Sequence, residues 1–338
     1  MSQPSVPTLD AVAARAGVGR GTVSRVINGG THVSRHAREA VEQAIAELGY
    51  VPNRAARRLV TRRGDTVALV VSEPEGRVFS EQFFAGIIRG VSAELNDTDL
   101  QLLLIMAHTE PERERLQRFL TARPADGVAL VSLHGDDPLP GILAAMGTPC
   151  VLVGRPAGGQ QVSFVHADDE GGAHQAVRHL LKTGRQRVAT ITGPPDLDVG
   201  DRRLAGYRSA LEEEGRFDPH LVGHGDFSEA SGGRVMRRLL AAHPDIDAVF
   251  AASDPMAAGA LATLKEEGRT VPHDVAVVGF EDSIIARHTI PPLTSVHQPV
   301  EEMGRRVVRL LIERMQTAAG APPIEVVLPT RLVRRQSG

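Results

Sequence analysis

The chain has a single cysteine, Cys150, among 338 residues. It can form neither an internal disulfide nor a multi-cysteine zinc site. No run of about 18 apolar residues occurs, so no membrane span is expected. The start, MSQPSVPTLD, has no basic stretch followed by an apolar one. A secretion signal is therefore not expected, and the cytoplasm is the expected compartment. Lysine is nearly missing: Lys182 and Lys265 are the only two, and arginine carries the rest of the positive charge. That bias, with abundant Ala, Gly and Val, fits a GC-rich genome and needs no functional cause. The 13 histidines form no HExxH or similar zinc spacing. No catalytic set emerges: Ser132 and His134 share the loop-like run SLHGDD, but no third partner is evident. Neither a metal, a cofactor nor enzymatic activity is expected.

What is present is a charge asymmetry. Residues 1–63 carry 10 Arg and 4 Asp/Glu, a balance of +6; the remainder carries 28 Lys/Arg and 37 Asp/Glu, a balance of -9. A basic head on an acidic body is the footprint of a nucleic-acid-binding module, although an ordinary solvated surface can also produce it. The length fits two or three domains, and 42% hydrophobic residues suffice for buried cores.

Residues 8–59 read as three short helices and a basic segment. Thr8 can cap a helix over 9–16 that Gly17 ends. A second helix follows over about 20–28, with Val23, Val26 and Ile27 inward and Arg20, Thr22, Ser24, Arg25 and Asn28 outward. Ser34 caps a third over about 35–48, closed by Gly49. A helix fits the major groove, where arginine can donate two hydrogen bonds to guanine. Thr and Ser hydroxyls suit phosphates, which set register without reading sequence. The run GVGRG at 17–21 imitates a dinucleotide loop, but it follows a helix rather than a strand and is rejected. After Pro52, Asn53 can cap a helix over about 53–60 that is too short to persist alone in water. Its arginines repel one another until phosphates relieve them, so this segment is expected to fold on DNA. Leu59 is an apolar wedge for the minor groove or, alternatively, a packing residue.

This stretch resembles the head and hinge of the LacI/GalR family of bacterial repressors. The residues that carry the resemblance are Gly17-Val18, Thr22-Val23-Ser24-Arg25-Val26 with Asn28, Val33-Ser34, Leu48-Gly49-Tyr50 with Pro52-Asn53, and Ala56 with Leu59. The resemblance implies that Arg20, Gly21 and Arg25 hold base-reading positions. It implies that Thr8, Thr22, Ser24, Asn28, His32, Tyr50 and Asn53 bear on the DNA backbone, that Ala56 belongs to the hinge interface with DNA, and that Leu59 is the wedge. Gly21 has no side chain to read a base, so specificity leans on Arg20 and Arg25.

From Thr66 onward, apolar runs of strand length alternate with helical stretches, among them TVALVVS, LQLLLIMA and a final strand over 325–333. Alternation of this kind means α/β architecture: parallel sheets with helices on both faces, in two similar lobes, with the ligand between them at strand C-terminal ends. The motifs Asp126-Gly127, Asp168 with Gly171-Gly172, Gly193-Pro194, Arg203 with Gly206-Tyr207, Ser253-Asp254, Val278-Gly279-Phe280 and Pro292-Leu293-Thr294-Ser295-Val296 resemble the family's core, which is similar to a periplasmic sugar-binding protein. Asp169 and Glu281 replace the commoner Asn and Asp. The resemblance implies that Phe83, Phe84, Arg203, Phe227, Ser253, Glu281 and Gln298 meet an effector. A guanidinium can bridge vicinal hydroxyls, and a flat ring can stack on a pyranose. Core packing is an equal alternative for each phenylalanine, and Asp254 reads as a helix-capping residue.

The expected organisation is a helix-turn-helix head over 1–52, a hinge over 53–63, and a core over 64–338. Its first lobe spans about 64–165 and 296–325, and its second about 166–295 and 326–338. The expected function is a transcriptional repressor: a homodimer on pseudo-palindromic double-stranded operator DNA, released by a small sugar. The runs GVGRGTVSRVING, ELGYVPNRAARRLVTRR and VALVVSE resemble the family's cellobiose-responsive branch, so cellobiose or a short cello-oligosaccharide is the expected effector. The chain's end, with prolines and no leucine heptad, argues for a dimer rather than a tetramer. Co-repression by the ligand is the alternative within the fold. A transport protein would leave the basic head unexplained, and a sugar-metabolising enzyme would need an acid/base pair.

Overall fold

The structure is a computed structural model that describes residues 7–27, 30, 32–50, 65–318 and 320–338. The segment expected to form the hinge helix, 53–63, lies outside the described residues, as do Asn28, Asn53, Ala56 and Leu59. Two compact units divide the chain at residues 64 and 65.

In the head, α1 (Leu9–Ala16), α2 (Arg20–Ile27) and α3 (Arg35–Leu48) form where the local signals place them. The Thr8 hydroxyl accepts the Ala11 N–H, and Gly17 ends α1 in the left-handed conformation that only glycine enters without strain. The Ser34 hydroxyl accepts the Ala37 N–H at the start of α3. Val12, Val23 and Val41 are fully buried and fasten the three helices to one another, with Ala13, Val26 and Ala44 around them.

The core contains two six-stranded sheets. The first has the order β11-β5-β4-β3-β1-β2 and the second β12-β10-β9-β8-β6-β7. In the first, β1 (Thr66–Val71), β2 (Gln101–Met106), β3 (Gly127–Val131), β4 (Cys150–Val153), β5 (Ser163–Ala167) and β11 (Glu325–Leu328) all run parallel. In the second, β6 (Val188–Thr192), β7 (Val222–His224), β8 (Ala248–Ala251), β9 (Ala276–Glu281) and β10 (Thr294–His297) are parallel, and β12 (Arg331–Val333) closes the edge antiparallel to β10. Central strands such as β3 and β6 are buried along their whole length, as parallel strands covered on both faces must be.

The expected single strand over 325–333 is instead two strands in different sheets. Pro329 lies between them and has no N–H to give a ladder, so the chain leaves one sheet there and joins the other. The chain crosses between lobes at residue 168, at 298–299 and at 329–330. The lobe edges drawn from sequence, near 165, 296 and 325, fall inside β5, β10 and β11. Four helices, Glu75–Ser80, Leu139–Ala145, Glu229–Ala242 and Ile284–His288, were not anticipated.

Candidate functional site

On the head, α2 leaves its polar face open. Arg20 and Arg25 are exposed, and among the described residues Arg20 has a single loose ion-pair partner, Asp10 at 3.6 Å. Gly21 lies beside the Arg25 guanidinium, close enough that a β-carbon there would touch it at 3.8 Å. The missing side chain thus leaves room for Arg25 to lie along the helix one turn back. Thr22 and Ser24 are half-buried, and Thr8 and His32 are exposed. Tyr50 differs from the expectation: it is 9% exposed and packs in the head's core, its N–H donating to the Ile45 carbonyl. Glycine at 49 turns the chain back at that point, which folds Tyr50 inward. The head is a bundle of three helices with two exposed arginines on the second, and this is an arrangement that can enter a groove.

In the core, a cleft of about 810 Å³, its open mouth included, lies between the two sheets at their strand C-terminal ends. Phe83, Phe84, Arg203, Phe227, Glu281 and Gln298 all line it. Ser253 does not. It is fully buried, where its hydroxyl caps the helix Asp254–Glu266 by accepting the Met256 N–H and donates to the Phe227 carbonyl. Ser253, not Asp254, is the capping residue. Asp254 is buried too, and it accepts the Ser295 hydroxyl at 2.5 Å and the Ser283 N–H at 2.7 Å.

Arg203 is the organising side chain. It is 2% exposed and stacks on the Phe280 ring, 3.7 Å from the ring centre. Its guanidinium donates to Asp169 at 2.9 Å, to the Ala252 carbonyl at 2.6 Å and to Gln298 at 3.2 Å. Burial pushes the Asp169 carboxyl up, and the Arg203 charge works against that shift. Asp169, the unusual residue of its motif, is therefore the counter-ion of the arginine, which sequence patterning did not reveal because 34 positions separate them.

The aromatic walls come from both lobes. Phe83 meets Phe84 edge to face at 5.3 Å. Phe227 holds a φ of 68° and lays its ring against Gly193, where a β-carbon would fall 2.1 Å from the ring. Only glycine at 193 lets the ring lie flat there. Ser132 (φ 59°) and Glu281 (φ 106°) are likewise strained, so three cleft-lining residues occupy backbone that costs about 1–3 kcal/mol each. The Glu281 side chain has no hydrogen-bond partner among the described residues. Burial, and then the nearby Asp254, raise its carboxyl above the usual range and favour the neutral form, which can donate as well as accept. A polar ligand would find a free group there.

A second cluster went unrecognised in the sequence. Glu73, Arg77 and Glu81 form a ladder with Arg77 bonded at 2.7 Å to each carboxylate. The Arg77 guanidinium lies 5.5 Å from the centre of the Phe227 ring on the other lobe. Spacing of four residues looks like an ordinary surface helix pair, and only the tertiary fold turns it into the cleft. His134 has two carboxylate partners, Glu73 and Asp196, where the sequence showed no third member for a set with Ser132. The Ser132 hydroxyl donates to Glu73 rather than to His134, so no activated serine results. A narrow side recess adjoins the cleft and shares Leu133, Leu152, Arg155 and Asp198 with it. Among the described residues, no group of three His, Cys, Asp or Glu is placed to hold a metal ion, and no helix is long and apolar enough to cross a membrane.

A groove-reading head joined to a two-lobed binding core defines a ligand-responsive, DNA-binding transcriptional regulator. Residues 8–53 match the family model described as bacterial regulatory proteins, lacI family, and residues 177–338 match a periplasmic binding protein-like domain. The transcriptional regulator CelR of Thermobifida fusca is 54% identical over 98% of both chains. The regulator AscG of Escherichia coli K12 is 32% identical, also over 98% of both. Among solved structures, a CelR–cellobiose complex superposes with a TM-score of 0.79 at 52% identity, covering 98% of this chain and 100% of the other. A lac repressor dimer bound to operator and the anti-inducer ONPF superposes with a TM-score of 0.85 at 27% identity, covering 98% of both. The chain belongs to the lacI family of bacterial regulatory proteins.

Proposed function

We propose that this protein represses carbohydrate-utilisation genes in the cytoplasm, as a homodimer on a pseudo-palindromic operator, and leaves the operator when cellobiose or a short cello-oligosaccharide enters the cleft. The observation that carries this reading is the cleft's chemistry: stacking surfaces at Phe83, Phe84 and Phe227 beside Glu281, Gln298 and the fixed Arg203. Flat apolar faces with polar groups at their edges are what a pyranose requires. The likeness to CelR, whose solved complex contains cellobiose, supports that particular sugar. Arg20 and Arg25 read bases in this scheme, with Thr8, Thr22, Ser24 and His32 on phosphates. Asn28, Asn53, Ala56 and Leu59 complete the DNA contacts on the family pattern.

Fluorescence anisotropy on duplexes selected by the protein from a random pool tests the scheme, with cellobiose as the added ligand. Operator affinity should fall when cellobiose is present. A rise would make the sugar a co-repressor, and no change together with no calorimetric heat would remove it as the effector. Arg25→Ala should cost about 1–3 kcal/mol on the selected duplex and relax preference at one position of each half-site. An equal loss on every duplex would mean that Arg25 touches phosphate only.

A further inference from the structure

Two loops from opposite lobes meet at His134. The residue follows β3 of the first lobe, and Asp196 follows β6 of the second. His134 Nδ1 lies 2.8 Å from Asp196 Oδ2, and Nε2 lies 3.1 Å from Glu73 Oε1. Both partners are carboxylate oxygens, which only accept. A neutral imidazole has one N–H and can serve one of them; the imidazolium has two and serves both. Beside this bridge the Gly135 N–H donates to the Asp196 carbonyl at 2.8 Å, so the loops also meet through their main chains.

The surroundings favour a cation on the ring. Glu73 is 2% exposed and also receives the Ser132 hydroxyl and the Arg77 guanidinium. Arg77 is shared with Glu81, so it does not fully neutralise Glu73. On the other lobe, Asp198 follows Asp196 at the start of its helix. On the histidine's own loop Asp136 and Asp137 follow, with Arg113 3.6 Å from Asp137, and Arg155 lines the same side recess.

We propose that His134 is a positioning residue that couples closure of the cleft to uptake of a proton, by clasping Glu73 of one lobe and Asp196 of the other as an imidazolium. The proposal rests on the reading above, that a sugar enters the cleft and releases the operator, and adds that the sugar does so by drawing the two lobes together. Glu73 and His134 belong to the same lobe and stay together when the lobes part, whereas Asp196 leaves. The closed form therefore holds the proton more tightly than the open one.

The electrostatics agree in sign. The hydrogen bond to Glu73 raises the His134 pKa most, burial opposes it, Asp196 adds to the rise, and the net shift is upward. For Glu73, burial works upward, but the hydrogen bonds from His134 and Ser132 and the charge of Arg77 outweigh it, and the carboxyl ends below its ordinary value. A raised histidine pKa contributes stability that is fully present at low pH and is lost as pH rises through the raised value. The clasp therefore favours the closed form most below the open form's pKa and fades above the ordinary histidine range. The Asp196 side chain is 53% exposed, so solvent screens its share and the effect is modest.

Two measurements on the full chain test the clasp. The first is a calorimetric titration with cellobiose in buffers of different ionisation enthalpy, with affinities measured from about pH 7 to about pH 9. Binding should take up a fraction of a proton and weaken about threefold across that range. His134→Gln and Asp196→Asn should bind with less proton uptake and a weaker pH dependence than the wild type, the remainder belonging to the raised Glu281 carboxyl in the cleft. Equal uptake in the wild type and both variants would overturn the proposal. The second needs no ligand: NMR titration of the His134 ring, assigned by its absence in His134→Gln. The ring should titrate above the ordinary histidine range, and Asp196→Asn should lower its pKa. A ring that ignores Asp196→Asn overturns the clasp even if cellobiose binds. Should cellobiose give no heat, the effector assignment fails and the ring titration alone decides the clasp.

Discussion

Arg203→Ala should lower the stability of the core by about 3–5 kcal/mol, read from the urea midpoint at neutral pH. Asp169 is buried, and its carboxylate is compensated by Arg203. Removing the guanidinium strands that charge and also uncovers the Phe280 ring and the Ala252 carbonyl. The loss should depend on pH in a particular direction. Without its counter-ion the folded-state pKa of Asp169 lies further above its unfolded value, so the native state binds more protons. Stability of the variant should then fall as pH rises from the ordinary aspartate range through that raised value. Asp169→Asn added to Arg203→Ala should recover a large part of the loss and flatten the pH dependence. Arg203→Lys keeps a charge but loses the fork that reaches Asp169, Ala252 and Gln298 together, so it should rescue little. A loss below about 1 kcal/mol for Arg203→Ala would mean that water already shares the site.

Gly90→Ala should cost roughly 3 kcal/mol, the upper end for overpacking, because the obstacle is backbone. Helices Gln82–Leu95 and Val300–Gln316 cross at Gly90 and Gly304. A β-carbon on Gly90 would fall 2.0 Å from the Glu301 carbonyl oxygen, and one on Gly304 would fall 2.4 Å from that of Ile87. No rotamer relieves such a contact; the helices must separate and lose the packing of Ile87, Val91, Val307 and Val308 around the crossing. Gly141 supplies the contrast. It lies in helix Leu139–Ala145 with nothing within 4 Å of a β-carbon. Gly141→Ala should stabilise by about 0.5–1 kcal/mol. If thermal melts moved the same way for both variants, close helix contact would not be what Gly90 provides.

The division between what was legible in the sequence and what was not follows chemical range. Thr8, Gly17, Ser34 and Gly49 act on groups three or four positions away, and the head's helices were readable from them. The alternation of strand and helix was readable for the same reason, because each apolar run is buried by its own sheet. Helix Glu75–Ser80 was not: Pro74 stands at its cap with no side-chain hydrogen bond, and its purpose lies in presenting Arg77 to Glu73 and Glu81. The cleft's lining was legible as far as Phe83, Phe84, Arg203, Phe227, Glu281 and Gln298 stand in recurrent motifs. Ser253 was misplaced because a capping hydroxyl and a ligand-facing one look alike in sequence. The pairs Arg203–Asp169 and His134–Asp196 join distant segments, and their partners are visible only once the sheets assemble.

The three passages between lobes have a consequence for synthesis. A nascent polypeptide that has reached Pro299 has all of β1 to β5, yet it lacks the helix Val300–Gln316 that covers β3, β4 and β5, and it lacks β11 along the edge of β5. It has β6 to β10 but not β12, which caps the edge at β10. Neither lobe can be finished before the ribosome has delivered residues 300–333, so the two halves mature together and late rather than in turn. A premature stop anywhere in that stretch removes support from both, leaving exposed sheet edges for chaperones and proteases to find.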